Sequence, residues 1–505
     1  MKLPNTMLSW LKRDIRRPLI LTALLVSLIA ALVFSQYGLD GALNRDHAIY
    51  IYSGQQMVQG TPPYVSIFDH KGPMGPLVSG IAVSIGTLLN MDDILVVRIT
   101  FLVLSSLAVG MLYLLGATLF NSQKVGLLSA LTFVGFTGFG IYAASGPLPK
   151  TAMVLFGILS LLLIARRKWF WAGICGSLAF LTWQPAAIYL VLAGLLAILQ
   201  SEPGRPRVRS ALSVVCGGLI PIVVVSLYFW YEGALYDLID GTLLFNFYHL
   251  ERPPISLLER VLHPIRMVNR GFPYMRLSIF IGFFMVVPMY VWRLKLYGSS
   301  LVNWIQKDQF SALLLSFAVI AIWSLWEFQY YYDAFVFLPY VAIGFGWLLY
   351  LALHGLLSIK ESGTTLQKLC FLLLCAILVV SAVLNYRAKA ENELEEQRQW
   401  AQQVEHQFGT DAKIVSIGVP QILVLLHRTN PNRYLFLGAG IENKINATTP
   451  GGFEGWLEEL ERYDPSVIAL GGKRGKFEPM LTNWLESHYR KIKVGEWTLF
   501  VKDHP

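Results

Sequence analysis

The stretch LILTALLVSLIAALVF, residues 19–34, carries no charged side chain and follows the basic residues Lys12, Arg13, Arg16 and Arg17. Pro18 and the polar pair Ser35-Gln36 bound it. An apolar run behind a basic cluster marks a membrane segment whose N-terminal flank stays in the cytoplasm. A cleaved signal peptide opens in the same way, but no convincing small-x-small cleavage pattern follows and the rest of the chain is itself membranous. The run is therefore read as an uncleaved anchor. Ten further apolar runs lie at about 94–119, 125–144, 151–165, 169–183, 186–199, 211–230, 277–292, 310–326, 334–353 and 369–386, which makes eleven expected crossings.

Composition agrees with this reading. Of 505 residues, 55% are hydrophobic and only 14% are charged, with a mean hydropathy of +0.52. Soluble domains carry about 25% charged residues, so a soluble globular protein is excluded. The net charge of +9 is divided into short clusters between the apolar runs, which points to membrane topology and to no nucleic-acid partner. Cys175, Cys216, Cys370 and Cys375 all sit in apolar stretches without ligand spacing, and are read as packing thiols.

The stretch Leu77 to Leu89 is contested, since its 13 residues include Ser79, Gly80, Ser84, Gly86 and Thr87. Length does not decide the matter, because 151–165 and 186–199 also fall short of the roughly 20 residues of a perpendicular crossing. Loop charge does. If 77–89 stays at one face, Lys124, Arg166-Arg167-Lys168, Arg205, Arg207, Arg209, Arg293, Lys295, Lys307, Lys360 and Lys368 all fall inside. The opposite loops at 145–150, 184–185 and 327–333 then hold only Lys150 as a basic residue. A crossing at 77–89 would invert this pattern, so an interfacial or re-entrant helix is expected.

The expected fold class is thus an α-helical polytopic membrane protein with a small C-terminal α/β extracytoplasmic domain. Residues 1–386 form the membrane body, with a first outer loop at 35–93, and residues 387–505 form the outer domain. Within that domain, 413–418, 433–437, 466–470 and 497–502 read as strands, and 420–427 and 452–462 as helices. Gly471-Gly472-Lys473-Arg474-Gly475 lacks phosphate-loop spacing and reads as a strand-to-helix turn. Asn446-Ala447-Thr448 fits a glycosylation acceptor only in a eukaryotic secretory setting. The multi-pass body is expected in the plasma (inner) membrane, N-terminus inside, among membrane lipids.

Chemistry-bearing residues concentrate in the first outer loop. It reads Asn44-Arg45-Asp46-His47, then Tyr50 and Tyr52, the turn Gln59-Gly60-Thr61-Pro62-Pro63-Tyr64, and Phe68-Asp69-His70-Lys71-Gly72-Pro73. In a chain this poor in charge, two acids, two histidines, an arginine and a lysine at one membrane face form a candidate site. The alternative is an interfacial loop whose polar residues meet water and headgroups. A second collection lies in 231–276, where Arg252, Arg260, Arg266, Arg270 and Arg276 break the inside-positive pattern. Headgroup contact is one account of it.

The order of these pieces resembles the GT-C membrane glycosyltransferases, especially the family 39, protein O-mannosyltransferase-like group. There a first transmembrane helix leads to an acidic pair, a Gly-x-x-Pro-Tyr turn and an Asp-x-Lys-Pro-Pro box. The counterparts here are Asp46-His47, Gly60 to Tyr64, and Asp69-His70-Lys71-Gly72-Pro73. His47 stands where the group has Glu, and Gly72 where it has the first Pro. Gln329-Tyr330 occupies the place of a His-Tyr pair.

The resemblance implies a sugar donor on a polyprenyl phosphate and a glycan, lipid or protein acceptor. It implies inverting transfer on the outer face, with Asp46 as base and Asp69 as the alternative acid. His47, Tyr64, His70, Lys71, Arg270, Arg276, Gln329 and Tyr330 are the implied substrate-binding residues. No cofactor is expected, the usual acidic metal pair being incomplete, and a divalent metal is left open. The rival readings are a polyprenyl-linked glycan ligase or polymerase, a lipid-linked sugar transporter, and an inactive membrane scaffold.

Overall fold

The structure, a computed structural model, describes residues 19–200, 206–251, 256–358, 364–386, 393–472 and 475–502. The basic start Lys12 to Arg17, the loop residues Arg205, Arg252 and Lys360, the junction at Arg387 and Glu391, and Lys473-Arg474 lie outside the described residues.

Every apolar run folds as a helix or as a broken pair. In chain order these are Leu19–Ser35, Asp93–Phe120, Gln123–Val134 with Thr137–Ser145, Pro149–Ala165, Trp169–Thr182, Ala187–Leu199, Arg207–Tyr231, Arg276–Leu296, Ser311–Glu327, Leu338–Ser358 and Thr364–Tyr386. Among the described residues, three helices are long and apolar enough to cross a membrane alone, and up to five if each bent pair is one span. The bent pairs turn by 66° between Gln123–Val134 and Thr137–Ser145, and by 117° between Leu301–Lys307 and Ser311–Glu327. Eleven crossings therefore stand as the reading of loop charge.

Small residues set the helix contacts. A Cβ at Gly110 of Asp93–Phe120 would collide with the Ser27 hydroxyl and the Ala23 carbonyl of Leu19–Ser35, so the two backbones approach closely, as small residues allow where apolar burial gives little drive. Some polar groups among the helices pair with one another. The Tyr340 hydroxyl lies in hydrogen-bond contact with Ser316 Oγ at 2.9 Å and with the Tyr189 hydroxyl at 3.1 Å. At one end of the bundle, Arg293 Nε donates to Asp308 at 2.8 Å.

The contested stretch 77–89 lies within a 16-residue helix, Met74–Leu89. It runs against the outer-loop helix Arg45–Val58, with Gly54 directly on the Ser79–Gly80 backbone: an added Cβ would sit 2.9 Å from the Ser79 carbonyl carbon.

The C-terminal domain carries one four-stranded sheet, ordered β1 (Ile414–Ile417), β2 (Val467–Leu470), β4 (Trp497–Val501), β3 (Arg490–Val494). β1 and β2 are parallel, and β4 runs antiparallel to both β2 and β3. β1, at one edge, and the inner strand β2 are buried throughout, whereas β3 at the other edge exposes Arg490, Lys491 and Lys493, a charged edge that discourages pairing with another chain.

Two corrections to the sequence reading follow. Arg433 to Leu437 is not a strand; it runs irregularly, its Arg433 carbonyl accepting the Phe68 N–H at 2.7 Å and its Leu435 carbonyl the Gly418 N–H at 2.7 Å. The fourth strand is instead Arg490–Val494, whose three basic residues among five hid it.

The domain does not hang on a tether. Leu43, Ala48, Ile51 and Tyr52 of the first outer loop share one apolar core with Val404, Ile422, Leu423 and Leu499. The backbone reinforces it: the Leu43 N–H donates to Gln397 at 2.7 Å, the Asn430 N–H to the Tyr52 hydroxyl at 2.9 Å, and the Leu394 N–H to the Asp40 carbonyl at 3.0 Å.

Candidate active site

A cavity of about 780 Å³ opens where the helical body meets the C-terminal domain. Its floor and walls include Arg45, Asp46, Asp69, His70, Lys71 and Lys150, with Tyr142, Gln329, Tyr330 and Tyr332 beside them. Gly418, the segment Phe436 to Ala439, and Gly472 roof it. A second chamber of about 270 Å³ shares His70, Lys71, Lys150 and Gln329 with the first, and continues past Trp183, Asn246 and Trp323.

Asp46 is placed by a helix start. Asn44 caps Arg45–Val58, its side chain accepting the His47 N–H at 2.9 Å, so the Asp46 carboxylate projects from the first turn, where the helix dipole favours negative charge. Arg45 donates to Asp46 Oδ1 at 3.2 Å, and the Tyr332 hydroxyl donates to Oδ2 at 3.1 Å. Burial pushes this carboxyl up, but Lys71, then Arg45, His47 and the Tyr332 hydrogen bond outweigh it and hold it below the usual carboxylate range. Asp46 is thus an ionised acceptor facing the cavity.

Asp69 is otherwise engaged. Its Oδ1 accepts the N–H groups of His70 at 2.7 Å and Lys71 at 3.3 Å, and its Oδ2 accepts the Tyr50 hydroxyl at 3.3 Å. It folds the turn that presents Lys71. The Lys71 carbonyl is fixed from behind by the Tyr64 hydroxyl at 2.7 Å, and the His70 carbonyl by Gln184 Nε2 at 2.9 Å and Asn246 Nδ2 at 3.0 Å. Gly72 is required by space, since a Cβ there would collide with the Leu181 carbonyl. Burial disfavours the Lys71 ammonium, but Tyr50, Asp46 and Asp69 hold its pKa above the ordinary value, so it is a charged cation in a partly desolvated site.

Both histidines are neutral. Burial, helped by Arg98, pushes His47 down to about 3; burial also pushes His70 down to about 4. His47 is fully buried beside Tyr142, ring centroids 5.5 Å apart, and does not line the cavity, whereas His70 lines both chambers.

The remaining sequence candidates divide. Gln329 and Tyr330 line the main cavity. Tyr64 is buried behind the wall, at 1% exposure. Arg270 and Arg276 are exposed and are not among the lining residues; Arg270 lies 5.6 Å from the Tyr330 ring centroid. The sequence reading missed Lys150, Tyr332 and Asp333 as site residues, although Lys150 had stood out as the one basic residue of its outer loops. It also missed the roof at Phe436 to Ala439. No residue-level signal marked the roof, because its contribution is proximity created by the fold.

A helical membrane body with a polar cavity beneath a C-terminal α/β domain is the GT-C polytopic fold. Residues 72–230 match the family of dolichyl-phosphate-mannose-protein mannosyltransferases. That match begins just after Lys71, so it does not include the Asp46 and Asp69 segments. Among solved structures, ArnT from Cupriavidus metallidurans bound to undecaprenyl phosphate is 13% identical, with a TM-score of 0.58 over 94% of this chain and 97% of that one. The apo state of the same protein gives a TM-score of 0.59 at the same identity and coverage. No curated protein matches the chain in sequence. The architecture implied by the order of motifs after the first helix is therefore the fold observed.

Proposed function

We propose that this protein transfers a sugar from a polyprenyl-phosphate donor to an acceptor hydroxyl at the outer face of the membrane. The observation that carries the reading is the juxtaposition of Asp46, ionised and cavity-facing, with Lys71, a charged cation on the opposing turn of the same cavity. Such a pair meets the needs of glycosyl transfer from phosphate. The acceptor O–H gives its proton to the Asp46 carboxylate as its oxygen attacks the anomeric carbon. The bond from that carbon to the phosphate oxygen breaks, and the departing phosphate keeps the electron pair beside Lys71. Attack opposite the leaving group inverts the configuration.

Asp69 orients Lys71 in this reading, and His70 and Gln329 border the junction of the two chambers where the phosphate would rest. The solved ArnT bound to undecaprenyl phosphate supports a lipid phosphate as ligand for a cavity in this fold. The positive-inside pattern supports a plasma-membrane protein with its N-terminus cytoplasmic and its cavity and outer domain extracytoplasmic.

The test is direct. The full chain in proteoliposomes is given undecaprenyl-phosphate-linked sugars one at a time, together with envelope glycan, glycolipid and protein fractions, and release of free undecaprenyl phosphate is followed. Acceptor-dependent release in the wild type, lost in Asp46→Asn, is the expected result. Release that persists in Asp46→Asn, or lipid-linked sugar that crosses the bilayer unreleased, would favour the ligase or transporter readings.

A further inference from the structure

Asp333 is 3% exposed at the base of the turn that follows Ser311–Glu327, and its carboxylate is fully committed. Oδ2 accepts the N–H of Gln329 at 2.7 Å and of Tyr330 at 2.9 Å, while Oδ1 pairs with the Lys150 ammonium. Lys150 in turn lies 5.2 Å from the ring centroids of both Tyr332 and Trp183. One residue before Asp333, the Tyr332 hydroxyl reaches Asp46 at 3.1 Å, 286 positions earlier in the chain. A tyrosine at the tip of a turn has freedom to rotate; this one is hemmed by Tyr330 and Tyr331, with centroids 4.9 and 5.6 Å away.

We propose that Asp333, locked by Lys150, is a positioning residue for Asp46: it sets the 329–333 turn so that the Tyr332 hydroxyl binds the carboxylate. The geometry stands whatever reaction the cavity performs; its catalytic importance rests on the reading of Asp46 as the base. A hydrogen bond donated to a carboxylate stabilises the ionised form and aims the other lone pairs. Without it the base is less ionised and is held through Oδ1 alone, by Arg45.

Charge alone makes the opposite prediction, which allows a clean test. The groups that face Asp46 from its own helix are Arg45, His47 and Tyr50; Lys71 and His70 face it from the box turn, Lys150 from the start of Pro149–Ala165, and Tyr331 and Tyr332 from the 329–333 turn. Burial holds the Lys150 pKa down, so the charge to count is that of Asp333 itself: removing this like charge lowers the Asp46 pKa by Coulomb's law. Loss of the Tyr332 hydrogen bond raises it.

The experiment is a pH titration of the full chain in lipid nanodiscs by difference infrared spectroscopy, with the carboxyl band lost in Asp46→Asn as the reporter. Asp333→Ala is expected to move the Asp46 titration upward, as Tyr332→Phe does without any change of charge. The double variant should move it no further than Tyr332→Phe alone. If Asp333→Ala does not fold, Asp333→Asn, which keeps a cap for the turn and releases Lys150, should give a smaller upward shift. A downward or absent shift in a folded Asp333 variant overturns the proposal, as does an unmoved titration in Tyr332→Phe. Failure of the transfer reading would show separately, as an active Asp46→Asn.

Discussion

Two segments of this chain are rich in charge, and the fold treats them in opposite ways. Between Asn44 and Pro73, Asp46, Asp69, His70 and Lys71 are drawn into a cavity and each is held by a defined partner. Between Leu257 and Arg276, Arg270 and Arg276 face outward on an amphipathic helix and the helix that follows it, beside Leu257 at 73% and Leu258 at 66% exposure. The lesson concerns desolvation. A cation held beneath a roof acts on a bound anion at low effective dielectric, whereas one facing water is screened within about 10 Å at ordinary salt.

The largest test of this contrast is Asp46→Asn, which keeps the shape and removes the basicity. Turnover should fall by about 10²–10⁴-fold while undecaprenyl phosphate binding persists, as loss of a general base predicts. Lys71→Ala comes next: losing a charge-assisted contact of about 1.5–3 kcal/mol should weaken undecaprenyl phosphate binding by roughly ten- to a hundredfold, measured by fluorescence titration in nanodiscs. Gly72→Ala should lower thermal stability, because its Cβ meets the Leu181 carbonyl; overpacking of this kind costs about 1–3 kcal/mol. Arg270→Ala and Arg276→Ala should change donor binding by less than about threefold. If either arginine outweighs Lys71, the comparison is reversed and the amphipathic segment is the phosphate site.

The pH dependence separates Asp46 from the histidines. Activity requires the Asp46 carboxylate, whose pKa is held down, so the acid limb should lie below the ordinary carboxylate range. His47, at about 3, and His70, at about 4, are neutral through the neutral range. Accordingly His47→Gln should leave any limb near pH 6.5, the usual histidine value, absent as in the wild type.

Much of this was legible in the sequence, for physical reasons. Apolar runs announce helices because a bilayer forces the backbone to satisfy itself, and each run did fold helically. The Asp46 and Asp69-to-Lys71 segments stood out because charge is scarce in this chain, and the cavity brings them together. What was not legible depended on contacts across the chain. Arg433 to Leu437 has the composition of a strand but leaves the sheet to meet Phe68, where its carbonyl accepts an N–H that the outer loop would otherwise bury unpaired. Arg490–Val494 carries three basic residues in five, as a charged edge strand can, and its pairing with Trp497–Val501 needed the sheet to reveal it. Lys150 and Asp333, 183 positions apart, reveal themselves as a pair only once folded.

The most direct test of the central claim is the stereochemistry of the transferred sugar. With a polyprenyl-phosphate donor of defined anomer, the product of the wild-type protein is isolated and its anomeric configuration read by NMR. Direct attack by an acceptor hydroxyl deprotonated by Asp46 predicts complete inversion. Retention would require a covalent or otherwise shielded intermediate on another group, and would contradict the account of this cavity.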